Sequence, residues 1–494
     1  MSIFQPWLVP KRSKFLNFML IACATVTAST VGYDGSMMNG LNILPSYIEY
    51  FNINTTTKSV ATSALYVGSI VAGLTYPFVM ARVSRRAAMF WAAFGTIFFV
   101  ALQGASQNIA MFIAARIGMG YGKACFTMAA PTYLAETFPY KSRGWALGLI
   151  SDFYYVGALV AAGITYRTAK MDNTWSWRIP SIIQGFWSLL CLSTLPFIPE
   201  SPRWLVYHNR HEEALRVLAQ INSDGDIDDP IVRVQHKEIV DTLEYEKSDA
   251  GHLNWKQILK SPSARKRLSL VISCALGTII VGECSICNMI ATYYFGDMLT
   301  NAGITDSDTQ LQLNVILNAW CLACAIVGTL FSERIGRRPN AIWSTLTLTV
   351  FLYIVGALTK FYGTSDNKSG VYATVGFIFL FQGAYSFGWT PLAYLYPPEI
   401  LNYQIRTFGM GLNTFTIFGS GIIFVFATPF MLEALGWKTY IMNASWNFAL
   451  LAFIWFFWVE TKGKTLEEID EIIEGVKHSD APNVQLVEQG KVDL

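Results

Sequence analysis

Pro199-Glu200-Ser201-Pro202-Arg203-Trp204-Leu205 opens a polar stretch that runs to Arg265-Lys266-Arg267 and separates two apolar flanks of similar length. Hydrophobic residues make up 53% of the 494 positions and charged residues 14%, whereas soluble domains carry about 25% charged residues. A helix needs roughly 20 apolar residues to cross a membrane. The composition therefore predicts two sets of membrane-spanning helices joined by a water-soluble segment.

Each flank contains six apolar segments. Backbone groups in lipid must find their hydrogen bonds within their own segment, so we expect every segment to be a helix. We predict an all-α membrane protein with twelve transmembrane helices at 15–37, 59–80, 87–105, 108–134, 144–166, 178–198, 268–296, 312–332, 341–361, 371–396, 407–432 and 438–459. The predicted domains are an N-terminus (1–14), a six-helix half (15–198), a central loop (199–267), a second six-helix half (268–459) and a tail (460–494).

The central loop and the start of the tail have amphipathic patterns. Short helices are expected in the loop at Glu212–Asn222, Ile231–Glu246 and Asn254–Lys260, and another in the tail from Leu466.

Lysine and arginine are concentrated in alternate connections between the apolar segments, including those that contain Arg82, Arg143 and Arg334. Basic connections lie on the cytoplasmic side of membrane proteins, so the central loop and both chain ends are expected to be cytoplasmic. The sequons that begin at Asn54 and Asn367 fall in connections on the opposite side. Their position predicts glycosylation of both asparagines.

The two halves of the sequence repeat one another. The basic group that ends in Arg85-Arg86 corresponds to the one that ends in Arg337-Arg338, and each follows the second segment of its half. Glu136 with Arg143 corresponds to Glu399 with Arg406, and Glu200 corresponds to Glu460. Two parallel six-helix halves with a binding site between them are an architecture of secondary transporters.

The repeated charges lie at the cytoplasmic ends of the predicted helices. They predict ion pairs across the seam between the halves, which would hold the cytoplasmic side closed. The alternative is that the arginines only fix the orientation in the membrane. The predicted network consists of Arg85, Arg86, Glu136, Arg143, Glu200, Arg203, Glu333, Arg337, Arg338, Glu399, Arg406 and Glu460.

Five charged residues lie at membrane depth: Asp34, Arg116, Lys123, Asp152 and Glu283. A charge at the centre of a helix costs about 2.5–3.5 kcal/mol, so it faces a polar cavity or an opposite charge. A carboxylate beside a cavity can bind and release a proton, which makes Asp34 with Arg116 a candidate proton-coupling pair. The alternative is a static ion pair. Glu283 is expected either to contact a hydroxylated substrate or to pair with Lys123.

The predicted tenth helix carries several prolines, which bend helices, and two aromatic residues that could stack on a sugar ring. Amides inside other helices suit sugar hydroxyls because one side chain both donates and accepts. The alternatives are ordinary packing and hydrogen bonds between helices. The candidate substrate-binding residues are Ser151, Asp152, Glu283, Asn288, Tyr294, Asn318, Trp389, Tyr394 and Asn413.

The sequence contains no nucleotide-binding loop, no metal-ligand cluster and no pairing of a nucleophile with a base. All five histidines fall in the central loop or the tail, and no basic run suggests nucleic acid. We therefore expect neither an enzyme nor an ATP-driven pump, and no cofactor or metal. The eight cysteines lie in apolar segments, which favours packing over disulfides.

These residues resemble the sugar porter family of the major facilitator superfamily over about Leu16 to Glu474, and in particular a fungal branch with lactose and hexose permeases. The motifs that carry the resemblance are Gly32-Tyr33-Asp34, Arg116, Pro131 with Tyr133 and Glu136, Arg143-Gly144, Pro199 to Leu205, Gly336-Arg337-Arg338, Glu399 with Arg406, and Glu460-Thr461-Lys462-Gly463.

The resemblance implies a monomeric proton/sugar symporter in the plasma membrane that works by alternating access, with Asp34 and Arg116 at the positions associated with proton coupling. Its expected partners are a small sugar, a proton and the lipid bilayer. The sequence departs from the family at Ser151 and Ala158, where sugar-binding glutamines often stand, and at Glu283. These departures leave open a transporter, for example an exporter, of a non-sugar metabolite. A sugar sensor that does not transport is a third alternative.

Overall fold

The computed structural model describes residues 9–249 except residue 11, together with 261–279, 306–362 and 368–475. Every regular element in these ranges is a helix. The first apolar flank forms α1 (Ser13–Ile43), α2 (Pro45–Phe51), α3 (Thr55–Arg82), α4 (Arg85–Gly104), α5 (Ile109–Thr137), α6 (Tyr140–Thr168), α7 (Trp175–Ile183), α8 (Gly185–Thr194) and a 3₁₀ turn (Leu195–Phe197).

The loop and the second flank continue the helical chain. The central loop contains α9 (Pro202–Tyr207), α10 (His211–Asn222) and α11 (Pro230–Asp249). The second flank and the tail form α12 (Pro262–Gly277), α13 (Ser307–Ile335), α14 (Arg337–Tyr362), α15 (Lys368–Ile400), α16 (Tyr403–Leu435), α17 (Lys438–Phe457) and α18 (Leu466–Glu474). The expected helices of the loop and tail are therefore present, except that Asn254–Lys260 lies outside the described residues.

Ten segments of the described chain are long and apolar enough to cross a membrane. Ten of the twelve predicted helices correspond to these segments, and an eleventh lies within α15, whose 33 residues extend about 50 Å. Of the predicted helix at 268–296, only the part up to residue 279 is described. The predicted all-α membrane fold is confirmed.

The predicted span at 178–198 is not one continuous helix. It is divided at Gln184 into α7 and α8, and Pro180 inside α7 cannot donate a backbone hydrogen bond. The carbonyl oxygen of Pro180 accepts a bond of 2.9 Å from the hydroxyl of Tyr33 on α1. The break leaves Gln184 fully buried with its side chain directed to α1.

The two halves meet along two seams, where α3 packs against α16 and α6 packs against α13. The helices α9 to α11 and α18 lie at one end of the bundle, which we call the loop face. There α10 packs on α1 and α9, and α18 packs on α11, α12 and α15. Toward the opposite end, exposed Asn54 caps α3 by accepting a 2.8 Å bond from the backbone N–H of Thr57. Asn367 lies outside the described residues.

Inside the first half, α1 and α6 approach each other closely at glycines. A Cβ atom on Gly157 would lie 2.0 Å from the carbonyl oxygen of Ser29, and one on Gly32 would lie 1.8 Å from that of Tyr154. Small residues permit this approach between membrane helices, where packing replaces the hydrophobic effect. The α1–α6 contact holds Asp34 in a fixed position relative to the residues of α6.

We expect Gly157→Ala to destabilise the protein, because neither backbone can move without separating α1 from α6. Overpacking of this kind costs about 1–3 kcal/mol. The control is Gly163→Ala on the same helix, where a Cβ would meet nothing within 4 Å. The measurement is the thermal midpoint of the purified protein in detergent; equal midpoints for the two variants would contradict the packing explanation.

Candidate functional site

A cavity lies between the two halves, with an empty volume of about 1330 Å³ that includes space open to solvent. Its described walls come from both halves and combine hydroxyl, amide and aromatic side chains. Four of the candidate substrate-binding residues line it: Ser151, Asn318, Tyr394 and Asn413. Hydroxyls and amides of this kind can both donate and accept hydrogen bonds to a polyhydroxylated molecule.

Two other candidates lie behind the cavity wall. Trp389 is fully buried, donates through Nε1 to the hydroxyl of Thr345 at 3.1 Å, and packs edge-on against Trp458. Successive residues of a helix point about 100° apart, so Tyr394 of α15 faces the cavity while Trp389 faces α14. Asp152 is buried beside Ser151 and does not line the cavity. Glu283, Asn288 and Tyr294 lie outside the described residues.

The structure adds lining residues that the sequence interpretation did not include. They share the properties of the predicted ones, since all are polar or aromatic side chains inside apolar helices. Asn314, one turn before Asn318, accepts from the Asn318 amide through its backbone and side-chain oxygens at 2.8 and 3.1 Å. The additional amide residues, Asn314 and Gln382, could have been predicted from their residue type alone, because each is an amide inside an apolar helix. The additional residues are Ser36, Tyr154, Tyr155, Thr278, Asn314, Gln382 and Tyr385.

A buried charged cluster lies beside the cavity around Asp34. The Asp34 carboxylate accepts bonds of 3.0 and 3.3 Å from the Arg116 guanidinium and a bond of 3.1 Å from the Gln184 amide. The Lys123 Nζ lies 3.7 Å from the second carboxylate oxygen. The structure thus brings the candidate pair Asp34 and Arg116 together and adds two partners that the sequence interpretation did not give it.

Lys123 connects this cluster to the cavity. It lies two turns after Arg116 on the same face of α5, pairs with Asp34 and also lines the cavity. Arg116 is further held by a bond of 2.8 Å from its Nε to the carbonyl oxygen of Ala61. With Asp34 ionised, one negative and two positive charges share the site.

At the loop face, Glu136 on α5 is the centre of the first group of charges. It accepts bonds of 3.2 and 3.1 Å from Arg85, which belongs to the same half. It also accepts a bond of 3.2 Å from Arg406, which belongs to the other half, and one of 2.6 Å from the hydroxyl of Ser201. Both carboxylate oxygens of this buried residue are therefore satisfied.

Glu399 on α15 is the centre of an equivalent second group. Arg337 of the same half lies 3.6 Å away and Arg143 of the other half 3.5 Å away. The hydroxyl of Thr461 donates a bond of 2.7 Å. Each glutamate thus has one cation from its own half, one cation from the opposite half and one hydroxyl. Together, the two groups connect the two halves at the loop face of the bundle.

Glu200 and Glu460 have a second equivalent role. Glu200 accepts from the backbone N–H of Arg85 at 3.1 Å, at the start of α4. Glu460 accepts from the backbone N–H groups of Arg337 and Arg338, both at 3.0 Å, at the start of α14. A carboxylate is stabilising at a helix N-terminus. Burial raises the pKa of Glu200 above its usual range.

The remaining members of the predicted network make contacts within their half or with the tail. Arg86 donates to the carbonyl oxygen of Leu195 at 2.9 Å, and Arg338 donates to that of Trp455. Arg203 forms an ion pair with Glu467 of α18, and this guanidinium lowers the pKa of Glu467 although burial opposes the shift. The side chain of Glu333 is not among those described.

The tail also joins the two halves. Arg143 of α6 donates a bond of 2.8 Å to the carbonyl oxygen of Lys464 just before α18. Arg267 of α12 pairs with Asp470 and Glu474 of α18, both at 2.6 Å. The tail segment from Lys464 to Glu474 therefore contacts charged side chains of both halves. Among the described residues, no group of three His, Cys, Asp or Glu side chains could hold a metal ion.

The family model described as "Sugar (and other) transporter" matches residues 20–473. Among curated proteins, an MFS-type transporter, oryC, of Aspergillus oryzae is 29% identical, with 92% of this chain and 84% of that protein covered. A high-affinity glucose transporter of Kluyveromyces lactis is 28% identical, with 92% and 84% covered. The major myo-inositol transporter IolT of Bacillus subtilis is 27% identical, with 95% and 98% covered.

Among solved structures, the major facilitator superfamily proton:xylose symporter XylE bound to 6-bromo-6-deoxy-D-glucose superposes with a TM-score of 0.81. That match has 20% identity and covers 93% of this chain and 99% of the symporter. The inward-open structure of XylE from E. coli gives a TM-score of 0.65 at 20% identity, with 92% and 99% covered. The chain is therefore a multi-pass membrane protein with the major facilitator fold, and it belongs to the sugar transporter family.

Proposed function

We propose that this protein is a secondary active transporter that moves a sugar across the plasma membrane together with a proton. The observation that carries the proposal is the position of Lys123, which pairs with Asp34 and lines the cavity. When Asp34 binds a proton, its attraction for Lys123 and Arg116 weakens. Lys123 can then contact a substrate hydroxyl, which links proton binding to substrate binding.

The cavity supplies the substrate site in this proposal. Ser151, Asn318, Tyr394 and Asn413 line it and provide hydroxyl, amide and aromatic groups. The names of similar proteins support a sugar or polyol, since they include a glucose transporter, a myo-inositol transporter and a proton:xylose symporter. Of the two aromatic residues of α15 that could stack on a sugar ring, we propose that Tyr394 does so, because Tyr394 lines the cavity and Trp389 does not.

We infer that the halves rock against each other and that the loop face is cytoplasmic, with both chain ends on that side. The ion pairs of Glu136 and Glu399 with the opposite halves hold the loop face closed in this state. Opening would break the two cross-half contacts and keep those within each half. The rocking units are residues 15–198 and 268–459, joined by the loop 199–267 and flanked by the terminal segments 1–14 and 460–494. We expect a monomer embedded in the lipid bilayer.

A non-sugar metabolite is the second candidate substrate. Ser151 and Ala158 both line the cavity at positions where sugar-binding glutamines often stand in this family. Several tyrosines surround them, including Tyr154, Tyr155 and Tyr385. Such a cavity also suits a hydroxylated molecule with an apolar ring, moved in either direction.

The deciding experiment is uptake into proteoliposomes of a panel of radiolabelled hexoses, pentoses and inositol, with and without an inside-alkaline pH gradient. We expect at least one of them to accumulate and the gradient to increase its accumulation. Asn318→Ala should raise the KM for that compound about tenfold, as expected when one hydrogen bond to a substrate is lost. Ile316→Ala on the exposed side of the same helix is the control. If none of these compounds moves or competes, the substrate is a non-sugar metabolite.

A further inference from the structure

Asp152 is a buried carboxyl that the proposed coupling cluster does not use. It lies on α6 in the seam with α13, and only 1% of its surface is exposed. One oxygen accepts a bond of 2.9 Å from the hydroxyl of Thr329 on α13, in the opposite half. The second oxygen is buried and has no hydrogen-bond partner among the described residues.

No described ion pair includes Asp152. The elements packed against α6 carry other charges, but these are engaged elsewhere or lie at the helix ends. Asp34 of α1 pairs with Lys123 of α5, Glu136 of α5 pairs with Arg85, and Glu399 of α15 pairs with Arg143 of α6 itself. Arg334 of α13 is exposed at the loop face. Asp152 is therefore a carboxyl in contact with one neutral hydroxyl.

Burial of a carboxylate without a cation costs several kcal/mol, and a group in this position takes up a proton instead. The neutral acid suits the geometry, since one oxygen accepts from Thr329 and the other can carry the proton. In water the same side chain is ionised at neutral pH. The charge of Asp152 therefore depends on whether water reaches the seam.

The seam at Asp152 lies on the side that must open. Asp152 is twelve residues from the loop-face end of α6, or about 18 Å, and Thr329 is six residues from that end of α13, or about 9 Å. Its neighbour Ser151 lines the cavity, and Arg143 of the cross-half pair lies closer to the loop face on the same helix. Separation of α6 from α13 at the loop face would expose Asp152 to water.

We propose that Asp152 is a second proton-binding site, which takes up one proton from loop-face water when the α6–α13 seam closes and releases it when the seam opens. One O–H bond forms on closing and breaks on opening, and no electrons move. The site is distinct from Asp34, because its proton enters and leaves on one side of the membrane and drives no accumulation. The proposal rests on the alternating-access part of the proposed function.

Thermodynamic linkage gives the size of the effect. If closing the seam binds one proton, the ratio of closed to open protein changes tenfold for each pH unit at the loop face between the two titrations. Acidity on that side favours the closed seam, and alkalinity favours the open one.

The first test is infrared spectroscopy of the purified full-length protein without substrate at pH 7. We expect a protonated-carboxyl C=O band that shifts in D₂O, disappears in Asp152→Asn and persists in Asp34→Asn. Thr329→Val should shift this band because it removes the hydrogen bond, and this variant serves if Asp152→Asn does not fold. A band unaffected by both the Asp152 and Thr329 substitutions, or no such band in the wild type, would overturn the proposal.

The second test measures the seam itself. Spin labels at the exposed positions Arg82 and Arg334, one in each half, report the opening of the loop face by their separation in a variant without native cysteines. In the Asp34→Asn background, the closed-to-open ratio should still change about tenfold per pH unit. It should become independent of pH when Asp152→Asn is added. If the closed-to-open ratio of the double variant still depends on pH, the proton is bound by another group and the proposal is overturned. If the loop face never opens in any variant, the result contradicts alternating access instead.

Discussion

Asp34→Asn is expected to abolish uphill accumulation of substrate while leaving exchange across the membrane. The side-chain oxygen of asparagine can still accept hydrogen bonds from Arg116 and Gln184, which donate to Asp34 at 3.0 and 3.1 Å. Asparagine cannot bind and release a proton. The variant therefore removes the coupling and retains most of the packing around the cluster.

The expected loss is large because one proton carries considerable energy. Moving one charge across 100 mV is worth about 2.3 kcal/mol, which supports a roughly 50-fold concentration ratio at about 1.4 kcal/mol per factor of ten. With Asp34→Asn, the ratio at steady state should fall to about one. The measurement is the accumulation of the transported compound in proteoliposomes under an imposed membrane potential and pH gradient.

Two comparisons separate loss of coupling from loss of folding. Equilibrium exchange of labelled for unlabelled substrate needs no net proton movement and should continue in the variant. Asp172→Asn changes an exposed carboxylate in the connection before α7 and should accumulate substrate like the wild type. Wild-type accumulation by Asp34→Asn would show that the proton is carried by another residue.

The Asp34 cluster shows what the sequence could predict and what it could not. Asp34 and Arg116 could be matched because each is costly alone in lipid and an opposite charge is the remedy. Lys123 was expected to pair with Glu283 if Glu283 did not contact the substrate, but in the structure its Nζ lies 3.7 Å from the Asp34 carboxylate. Helical spacing alone does not show which acid on another helix a side chain meets. Gln184 was missed because Pro180 predicts a break in this segment but does not show that the Gln184 side chain reaches Asp34 on α1.

The cavity shows a second limit. Periodicity identifies which residues share a helix face, but it does not give the rotation of that face toward the cavity. Trp389 and Tyr394 were therefore equal candidates in the sequence, and the structure places only Tyr394 on the wall. In the same way, the internal repeat identified Glu136 and Glu399 as equivalent, while their cross-half partners depend on how the halves are joined.

Substitution of both cross-half arginines, Arg143→Gln with Arg406→Gln, is expected to open the loop face. Arg406 donates a hydrogen bond to Glu136, and Arg143, which pairs with Glu399, donates one to the carbonyl oxygen of Lys464. A hydrogen bond that involves a charged group contributes about 1.5–3 kcal/mol, so these two contribute about 3–6 kcal/mol to the closed state. At about 1.4 kcal/mol per factor of ten, the closed-to-open ratio should fall at least 100-fold. The substitutions change the free energy of the open state little, because the cross-half contacts of Arg143 and Arg406 do not exist in that state.

Spin labels at Arg82 and Arg334 provide the measurement, as a shift of the distance distribution to longer separations. Arg85→Gln is a control with the opposite expected sign. Arg85 pairs with Glu136 inside one half, so this ion pair is present in both states. Its guanidinium also lies 5.3 Å from the ring centroid of Tyr403 in the other half, but this cation–π contact is weaker than the cost of leaving buried Glu136 without a cation. Without Arg85, Glu136 in the open state keeps only Ser201, whereas in the closed state it also keeps Arg406. This variant should therefore favour the closed state.

The opposite signs distinguish a state-specific network from general destabilisation. If the charges at the loop face only fixed the orientation in the membrane, removing any of these arginines would change the distances equally or not at all. If they hold the halves together, the cross-half double variant lengthens the distances and Arg85→Gln does not. If the double variant and Arg85→Gln both lengthened the distances between the spin labels, the stabilising energy would lie within the first half. The cross-half ion pairs would then be a consequence of closure rather than its cause.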